Sequence, residues 1–312
     1  MYFSTKKDTI YESDQERVEL RIMQFKKIGV IGGGTMGQGI SEMLASKGID
    51  VLLVEQTPEK LDYAYNMIET SLDKQLEKWA ITQAEKKLIL SRIQKVSHLA
   101  ELGSCDMVIE TITENLDEKK AVFQELDHVC PSNIILASNT STLSLTELAS
   151  STKYPERVIG MHFIYPVSRI DLVEIIRGLK TSDDTFENTK MFVEEVVEKK
   201  GVMIYESPGF VTSRIICLLI NEAAHVLQEG VASAEDIDDA MRIGYSFQNG
   251  PLEMADRFGL DSVLAALERM FREFGELKYR PSIVLKKMVR AGNLGVKSGE
   301  GFFKYDKDGD RI

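Results

Sequence analysis

The chain has 312 residues, of which 43% are hydrophobic and 28% are charged, and its formal net charge at pH 7 is −11. These values are typical of a soluble globular protein with room for two domains. The acidic balance and the lack of a long Lys/Arg run exclude a nucleic-acid partner, and no run approaches the roughly 18 apolar residues of a membrane span.

The three cysteines, Cys105, Cys130 and Cys217, lie far apart and show no C-x-x-C or Cys/His spacing. The sequence therefore predicts neither a disulfide framework nor a metal site, and it favours a reducing, cytoplasmic setting. Residues 1–22 carry four basic and five acidic side chains but lack the apolar centre of a signal peptide. We expect them to form a peripheral extension.

A glycine-rich turn follows the first apolar run of the chain. Gly32, Gly34 and Gly37 form a G-x-G-x-x-G pattern. The first glycine allows a sharp turn, the second lets a pyrophosphate approach the backbone, and the third lets the next helix pack closely. Thr35 and Met36 would begin a helix whose N-terminal N–H groups face the phosphates. The turn predicts a dinucleotide-binding site.

An acidic residue follows the second apolar run, residues 50–54. Glu55 lies eighteen residues beyond Gly37, where a carboxylate can accept hydrogen bonds from both hydroxyls of an adenine ribose. Because this carboxylate would repel a 2′-phosphate, the sequence predicts NAD rather than NADP. The alternative is a βαβ unit that binds no dinucleotide.

Short apolar runs alternate with amphipathic stretches from Met23 to about Glu206, a pattern typical of a doubly wound α/β sheet. The candidate strands are 26–31, 50–55, 106–111, 134–138, 157–163, 172–176 and 202–205. The long charged stretch 58–97 is helical in pattern and longer than a simple crossover needs. We therefore predict an NAD-binding Rossmann-type domain over 23–206.

The strand-like runs stop after residue 206, and we predict an all-α C-terminal domain over 207–312. Ser207 is the expected N-cap of its first helix, with Pro208 as the first helical residue. Residues 210–228 are apolar almost all round, so this helix is expected to be buried on most faces. It would lie at a subunit interface or at the centre of the domain.

Several separated motifs fit one known family. They are ETITENLDEK at 110–119, SNTS at 138–141, GMHFIYPV at 160–167, LVE at 172–174, PGFV at 208–211 and KSGEGF at 297–302. Together with the glycine turn, they resemble L-3-hydroxyacyl-CoA dehydrogenase over about residues 25–306. The resemblance implies a homodimeric, NAD-dependent oxidoreductase that acts on acyl thioesters and needs no metal.

The resemblance places the family's catalytic histidine at His162 and its partner carboxylate at Glu174. An imidazole exchanges protons near neutral pH, so it can remove the alcohol proton as hydride leaves the same carbon. The carboxylate would orient the ring and stabilise the imidazolium that forms. As an isolated pair, these residues would instead be read as a core histidine bonded to a buried glutamate.

The family serine that bonds the substrate oxygen corresponds to Ser141, which without the resemblance would be read as a loop serine near a helix start. Two positions depart from the family pattern. Ser213 replaces an Asn that helps to hold the substrate, and Tyr165 replaces an Asn that follows the histidine. Both changes affect substrate handling, which favours an altered substrate over lost redox chemistry.

Five charged or polar residues match further family positions. Glu114 and Lys119 match positions on the nicotinamide side of the cofactor, and Lys297 matches another cofactor contact. Ser71 and Lys78 match contacts to the coenzyme A portion of the substrate. Charged residues on a helix are more often simply solvated.

The predicted function is NAD-dependent oxidation of the 3-hydroxyl of an acyl-CoA thioester, or reduction of the 3-oxo form. One alternative keeps this chemistry but uses a hydroxyacyl group, such as glyceryl, carried by an acyl carrier protein. Another is a non-catalytic, NAD-binding structural or regulatory protein. The β-hydroxyacid dehydrogenase group is disfavoured, because it relies on an interdomain-helix lysine and residues 210–228 contain none.

Overall fold

The computed structural model describes residues 25–312, so the predicted extension 1–22 lies outside the described residues. The described chain forms two compact units. The first comprises residues 25–139 and 145–203, and the second comprises residues 140–144 and 204–312.

An eight-stranded sheet organises the first unit, in the order β3-β2-β1-β4-β5-β6-β7-β8. The strands are β1 Lys27–Ile31, β2 Asp50–Val54, β3 Ile93–Val96, β4 Met107–Glu110, β5 Ile135–Ser138, β6 Val158–Phe163, β7 Leu172–Arg177 and β8 Lys200–Tyr205. Strands β1 to β6 pair in parallel, and β7 pairs antiparallel to β6. The α/β fold and the seven predicted strands are therefore confirmed.

The expectation of a continuous helical stretch over 58–97 was wrong at its end. Strand β3, Ile93–Val96, pairs in parallel with β2 and occupies the edge of the sheet. Its two ends are buried, whereas Gln94 and Lys95 between them are exposed. A four-residue edge strand with two polar residues lacks the apolar run by which a buried parallel strand is identified.

Helices cover both faces of this sheet. They are α1 Thr35–Ser46, α2 Pro58–Glu77, α3 Gln83–Ser91, α4 Leu116–Val129, α5 Leu145–Ala149 and α6 Asp183–Met191. Alternate residues of one strand enter different cores: Val51 and Leu53 belong to one buried cluster, and Leu52 and Val54 to another. Burial on both faces explains why the strands of this sheet read as continuous apolar runs.

The second unit is mainly helical. Its helices are α7 Thr212–Gln228, α8 Ala234–Gly244, α9 Pro251–Phe258, α10 Leu260–Phe274 and α11 Ile283–Ala291. After α11 the chain forms a short 3-10 helix, Val296–Ser298, and isolated bridges, including Gly295 with Glu300 and Tyr305 with Arg311. No helix within residues 25–312 has both the length and the hydropathy needed to cross a bilayer.

The first helix of this unit differs from expectation in two ways. Helix α7 begins at Thr212, and Ser207 and Pro208 belong to a turn before it, in which the Phe210 N–H group donates to the Ser207 carbonyl oxygen. The φ angles of Gly209 and Phe210 are +77° and +50°, which no right-handed helix accommodates. The helix is also not buried on most faces, since Ile215 is 64% exposed within the chain.

Candidate functional site

The glycine turn joins β1 to α1 and has the geometry that a dinucleotide needs. The φ angle of Gly32 is +98°, and a Cβ on Gly37 would lie 1.8 Å from the Gly32 carbonyl oxygen. A Cβ on Gly34 would meet no atom within 4 Å. No side chain caps the N-terminus of α1, which begins at Thr35 and continues through the half-buried Met36. The turn is thus closed where the helix meets the strand and open where a phosphate would approach the N–H groups.

The acidic residue after β2 lies against this turn. One oxygen of Glu55 accepts a hydrogen bond from the Gly33 N–H group at 2.6 Å, and the other accepts one from the Gln56 N–H group at 2.9 Å. A carboxylate at the end of the neighbouring parallel strand is the group that recognises the adenine ribose in such folds. The residues of the turn and Glu55 therefore fit a dinucleotide without a 2′-phosphate.

His162 and Glu174 face each other across two antiparallel strands. They are direct partners in the register of β6 and β7, so their side chains point to the same side of the sheet. The His162 Nδ1 and Glu174 Oε2 atoms lie 2.6 Å apart. Both residues are buried, with exposed fractions of 8% and 0%. The register of one hairpin therefore brings together two residues separated by twelve positions.

Asn139 supports the strand that carries His162, and it was not among the predicted site residues. Its side-chain oxygen accepts a hydrogen bond from the Phe163 N–H group at 2.9 Å. Its own N–H group donates to the Glu110 carbonyl oxygen at 2.8 Å. The polar SNTS motif directly after an apolar strand was the available signal for such a role. Ser141 follows in the second unit, half-buried in a turn where the Thr140 hydroxyl accepts from the Leu143 N–H group.

A second buried polar cluster lies at the end of β4, and its central residue, Glu110, was also missed by the sequence analysis. Glu110 Oε1 lies 2.6 Å from Lys119 Nζ, and Glu110 Oε2 accepts a hydrogen bond from the Ser138 hydroxyl at 2.6 Å. Burial raises the pKa of the Glu110 carboxyl, and the Lys119 ammonium opposes this shift. Lys119 Nζ also lies 3.7 Å from Glu114 Oε2. The lysine predicted to line the cofactor is thus a buried member of an ion pair.

Three other predicted residues lie in the structure as follows. Lys297, in the second unit, donates a hydrogen bond to Asp261 at 2.7 Å. Ser213 is half-buried in the first turn of α7. Glu114 is 36% exposed in the loop between β4 and α4.

The remaining two predicted residues belong to the first unit. Ser71 lies half-buried in α2, and Lys78 is the exposed C-cap residue of the same helix. Tyr165, one of the departures from the family pattern, is 47% exposed and is joined to Pro166 by a cis peptide bond.

Comparisons with known proteins identify the family. Residues 27–207 match the family model "3-hydroxyacyl-CoA dehydrogenase, NAD binding domain", and residues 209–305 match the model of the C-terminal domain of the same family. The chain is 44% identical to a 3-hydroxybutyryl-CoA dehydrogenase of Clostridioides difficile, over 90% of this chain and 100% of that protein. It is 42% identical to a probable 3-hydroxybutyryl-CoA dehydrogenase of Bacillus subtilis, over 91% and 99% of the two chains.

A solved structure gives the same result. The crystal structure of (S)-3-hydroxybutyryl-CoA dehydrogenase from Ralstonia eutropha is similar with a TM-score of 0.84 and 41% identity, covering 91% of this chain and 100% of that one. The cofactor is NAD, as the match to the NAD-binding domain, the glycine turn and the Rossmann-type sheet indicate. The chain belongs to the 3-hydroxyacyl-CoA dehydrogenase family and is an NAD-dependent oxidoreductase.

Proposed function

We propose that the chain interconverts the 3-hydroxyacyl and 3-oxoacyl thioesters of coenzyme A, with a short acyl group such as 3-hydroxybutyryl. The proteins named above, to which it is 41–44% identical over nearly their whole length, carry that substrate in their names. The observation that carries the proposal is the 2.6 Å contact between His162 Nδ1 and Glu174 Oε2. A buried carboxylate bound to one ring nitrogen prepares the other nitrogen for proton exchange.

In this mechanism His162 is the general acid–base and Glu174 is its orienting partner. With Nδ1–H donating to Glu174, Nε2 carries the lone pair that would take the proton of the substrate hydroxyl. In the oxidation, the O–H proton moves to Nε2, the C3–H bond breaks and the C3–O bond becomes a carbonyl. A nicotinamide cofactor held at the glycine turn would supply the acceptor for the hydride that leaves C3. Glu174 then stabilises the imidazolium, and reduction reverses each transfer.

The substrate oxygen changes its charge during this reaction and needs a hydrogen-bond donor. We propose Ser141 for this role, with Ser213 as a second, shorter-reaching donor in place of a carboxamide. NAD would be held by residues 32–37 and by Glu55. Glu114, Lys119 and Lys297 are further proposed cofactor contacts, whereas Ser71 and Lys78 are proposed contacts of the coenzyme A portion.

The proposal is tested by following NADH absorbance with acetoacetyl-CoA. We expect turnover in the wild type and its loss in His162→Ala, while NAD affinity measured by calorimetry stays unchanged. His128→Ala is a matched control, because His128 is exposed on α4 and takes part in none of the proposed steps. NAD binding without turnover on a panel of 3-oxoacyl thioesters would instead support the non-catalytic alternative.

A second candidate, an acyl group carried by a carrier protein, is favoured by the two departures from the family pattern. Tyr165 is 47% exposed and Ser213 is half-buried, and each replaces a family Asn that handles substrate. Steady-state kinetics with 3-hydroxybutyryl-CoA and with a glyceryl carrier-protein thioester would separate the two candidates. A kcat/KM higher for the carrier-protein thioester would replace the first proposal by the second.

We also propose that the chain acts in the cytoplasm as a homodimer formed through its helical unit. Helix α7 and the residue before it expose apolar side chains, since Val211 is 44% and Ile215 is 64% exposed within one chain. An apolar helix surface of this kind is stabilised when a second subunit removes it from water.

A further inference from the structure

The turn between α2 and α3 carries Trp79, the only tryptophan of the chain. This side chain is 94% exposed, and the backbone φ angle of Trp79 is +57°. The Trp79 N–H group bonds the Leu76 carbonyl, and the Ala80 N–H group bonds the Gln75 carbonyl, at 3.0 and 2.9 Å. These bonds end α2 in a Schellman motif. Its left-handed position is normally occupied by glycine, and here it is occupied by Trp79.

A tryptophan at this position does not stabilise the fold by packing, because its side chain is almost fully exposed. A side chain disfavours the left-handed conformation, and glycine adopts it without steric conflict. Burial would normally offset such a conflict, but here almost the whole indole faces water. An unfavourable backbone conformation that packing does not offset indicates that the side chain binds a ligand.

The turn is held in place by its two helices. Lys86 on α3 is buried and bonds Asp73 on α2 at 2.6 Å, with Glu69 3.1 Å away. Thr82 and Glu85 form a reciprocal capping box at the start of α3. The exposed indole is therefore presented by a preorganised hairpin, which lowers the entropic cost of binding a ligand there.

Two lysines lie close to Trp79 in the sequence, at the C-terminal end of α2. Lys78 directly precedes Trp79, and Lys74 lies one helical turn earlier. Both lysines are exposed. An exposed aromatic ring on a turn that follows two exposed lysines suits a planar heterocyclic base that carries phosphate.

We propose that Trp79 stacks on the adenine ring of the coenzyme A handle of the substrate, with Lys74 and Lys78 attracting its phosphates. The proposal rests on the proposed function, and it selects coenzyme A over a carrier protein as the carrier. The phosphopantetheine arm of a carrier protein has no base to stack on the indole. NAD also contains adenine, and the fluorescence titration described next distinguishes its binding from that of coenzyme A.

Because the chain has one tryptophan, its intrinsic fluorescence reports this residue alone. Adenosine 3′,5′-bisphosphate and coenzyme A are titrated separately into the wild type, with Trp79→Phe as the blank. We expect saturable quenching by both ligands and no quenching by NAD+ in the same concentration range. Absence of saturable quenching by coenzyme A would overturn the proposal, as would equal quenching by NAD+.

Kinetics provides the second readout, with acetoacetyl-CoA and acetoacetyl-pantetheine as substrates. Trp79→Gly should raise the KM for acetoacetyl-CoA about five- to tenfold, the lower part of the range for one stacked base. The same variant should leave the KM for the truncated thioester as it is in the wild type, and Trp79→Phe should recover most of the affinity. Leu88→Ala, at an apolar residue 56% exposed on α3, is the matched control and should change neither KM.

Thermal unfolding separates binding from folding. Trp79→Gly relieves the left-handed strain, so its Tm should equal or exceed that of the wild type while its affinity falls. An unchanged KM for acetoacetyl-CoA in an active Trp79→Gly enzyme would overturn the stacking proposal and leave the proposed function standing. Lack of turnover by the wild type on all thioesters would overturn the proposed function, and the quenching titration would still test the indole site by itself.

Discussion

The Glu110 carboxylate and the Lys119 ammonium form an ion pair from which water is excluded. Glu110 Oε1 and Lys119 Nζ lie 2.6 Å apart, and the two side chains are 0% and 1% exposed. Lys119 also donates to the Ile112 carbonyl oxygen at 3.2 Å. The adjacent Thr111 hydroxyl lies 2.8 Å from the Gly32 carbonyl oxygen. The ion pair therefore lies at the base of the loop whose Thr111 hydroxyl contacts the glycine turn.

Removing one member of this pair should destabilise the protein strongly. Lys119→Met leaves the Glu110 carboxylate buried without its cation, and we expect a loss of about 3–5 kcal/mol in the free energy of unfolding. The double variant Glu110→Leu/Lys119→Met should lose less than Lys119→Met alone, because no buried charge remains. Urea denaturation followed by circular dichroism measures both values.

Lys120→Met provides the control for the buried pair. Lys120 pairs with Glu147, but the two side chains are 27% and 46% exposed, so this pair should contribute less than about 1 kcal/mol. Equal losses of stability in Lys119→Met and Lys120→Met would contradict the larger contribution expected of the buried pair.

Glu174→Gln should reduce kcat with little effect on the fold. The Gln amide group can donate to Nδ1 and favour the wrong imidazole tautomer, and it does not stabilise the imidazolium. We expect a decrease in kcat of about 10²- to 10⁴-fold, with NAD affinity unchanged. Glu156→Gln, at an exposed position in the same unit, should retain wild-type kcat. Full activity of Glu174→Gln would show that the carboxylate has no part in proton transfer.

The three thiols of the chain should be inert in the folded protein. Cys105, Cys130 and Cys217 are free and buried. Burial raises the pKa of Cys105 and of Cys217 to about 12 and that of Cys130 to about 11, so little thiolate is present at pH 8. Mass spectrometry after iodoacetamide treatment should find no adduct on the native chain and three after unfolding in urea. Rapid labelling of the native chain would be inconsistent with this burial.

Asp256 should make the free energy of unfolding decrease as the pH rises through about 6. Its carboxylate accepts hydrogen bonds from the Phe302 and Phe303 N–H groups and from the Tyr305 hydroxyl. Burial raises the pKa of Asp256 from 3.8 to about 6, although the bonds from Phe302, Phe303 and Tyr305 oppose this shift. Between these values the folded state keeps a proton that the unfolded state has released. Its contribution to the free energy of unfolding is therefore complete below pH 4 and is lost as the pH rises through about 6.

This loss should amount to about 2–4 kcal/mol for the wild type relative to Asp256→Asn, which cannot titrate. Urea denaturation of both proteins at several pH values from 4 to 7 measures the difference. If the wild type instead gained stability relative to Asp256→Asn as the pH rises, the bonds from the two N–H groups and the hydroxyl would outweigh burial.

The proposed dimer predicts the effect of a charge on α7. Ile215→Asp should shift the protein from dimer to monomer, because the carboxylate would have to be desolvated in an apolar interface. Sedimentation velocity measures the change. Leu179→Asp, at a residue 82% exposed in the first unit, is the control and should remain dimeric. A wild type that sediments as a monomer would contradict the homodimer.

Local sequence patterns were sufficient for seven of the eight strands of the sheet and for the glycine turn. Continuous apolar runs identified seven strands, because burial on both faces removes the polar alternation. Strand β3 was missed because its central residues, Gln94 and Lys95, face solvent at the sheet edge. The start of α7 was predicted too early, because a serine followed by a proline is typical of a helix start. The positive φ angles of Gly209 and Phe210 delay the helix, and the local sequence did not indicate them.

The sequence by itself determined the cofactor class, since the glycine spacing and the acid at Glu55 act through local backbone geometry and the charge of one side chain. The motifs shared with the family also named the two residues of the proposed proton-transfer pair, His162 and Glu174. Only the tertiary structure decided that Glu110, rather than the nearby Glu114, is the principal partner of Lys119. Both carboxylates lie within reach of that lysine along the chain, but Ser138 from the neighbouring strand and burial by the sheet select one of them. Burial depends on neighbours that are distant in sequence, and no local pattern specifies it.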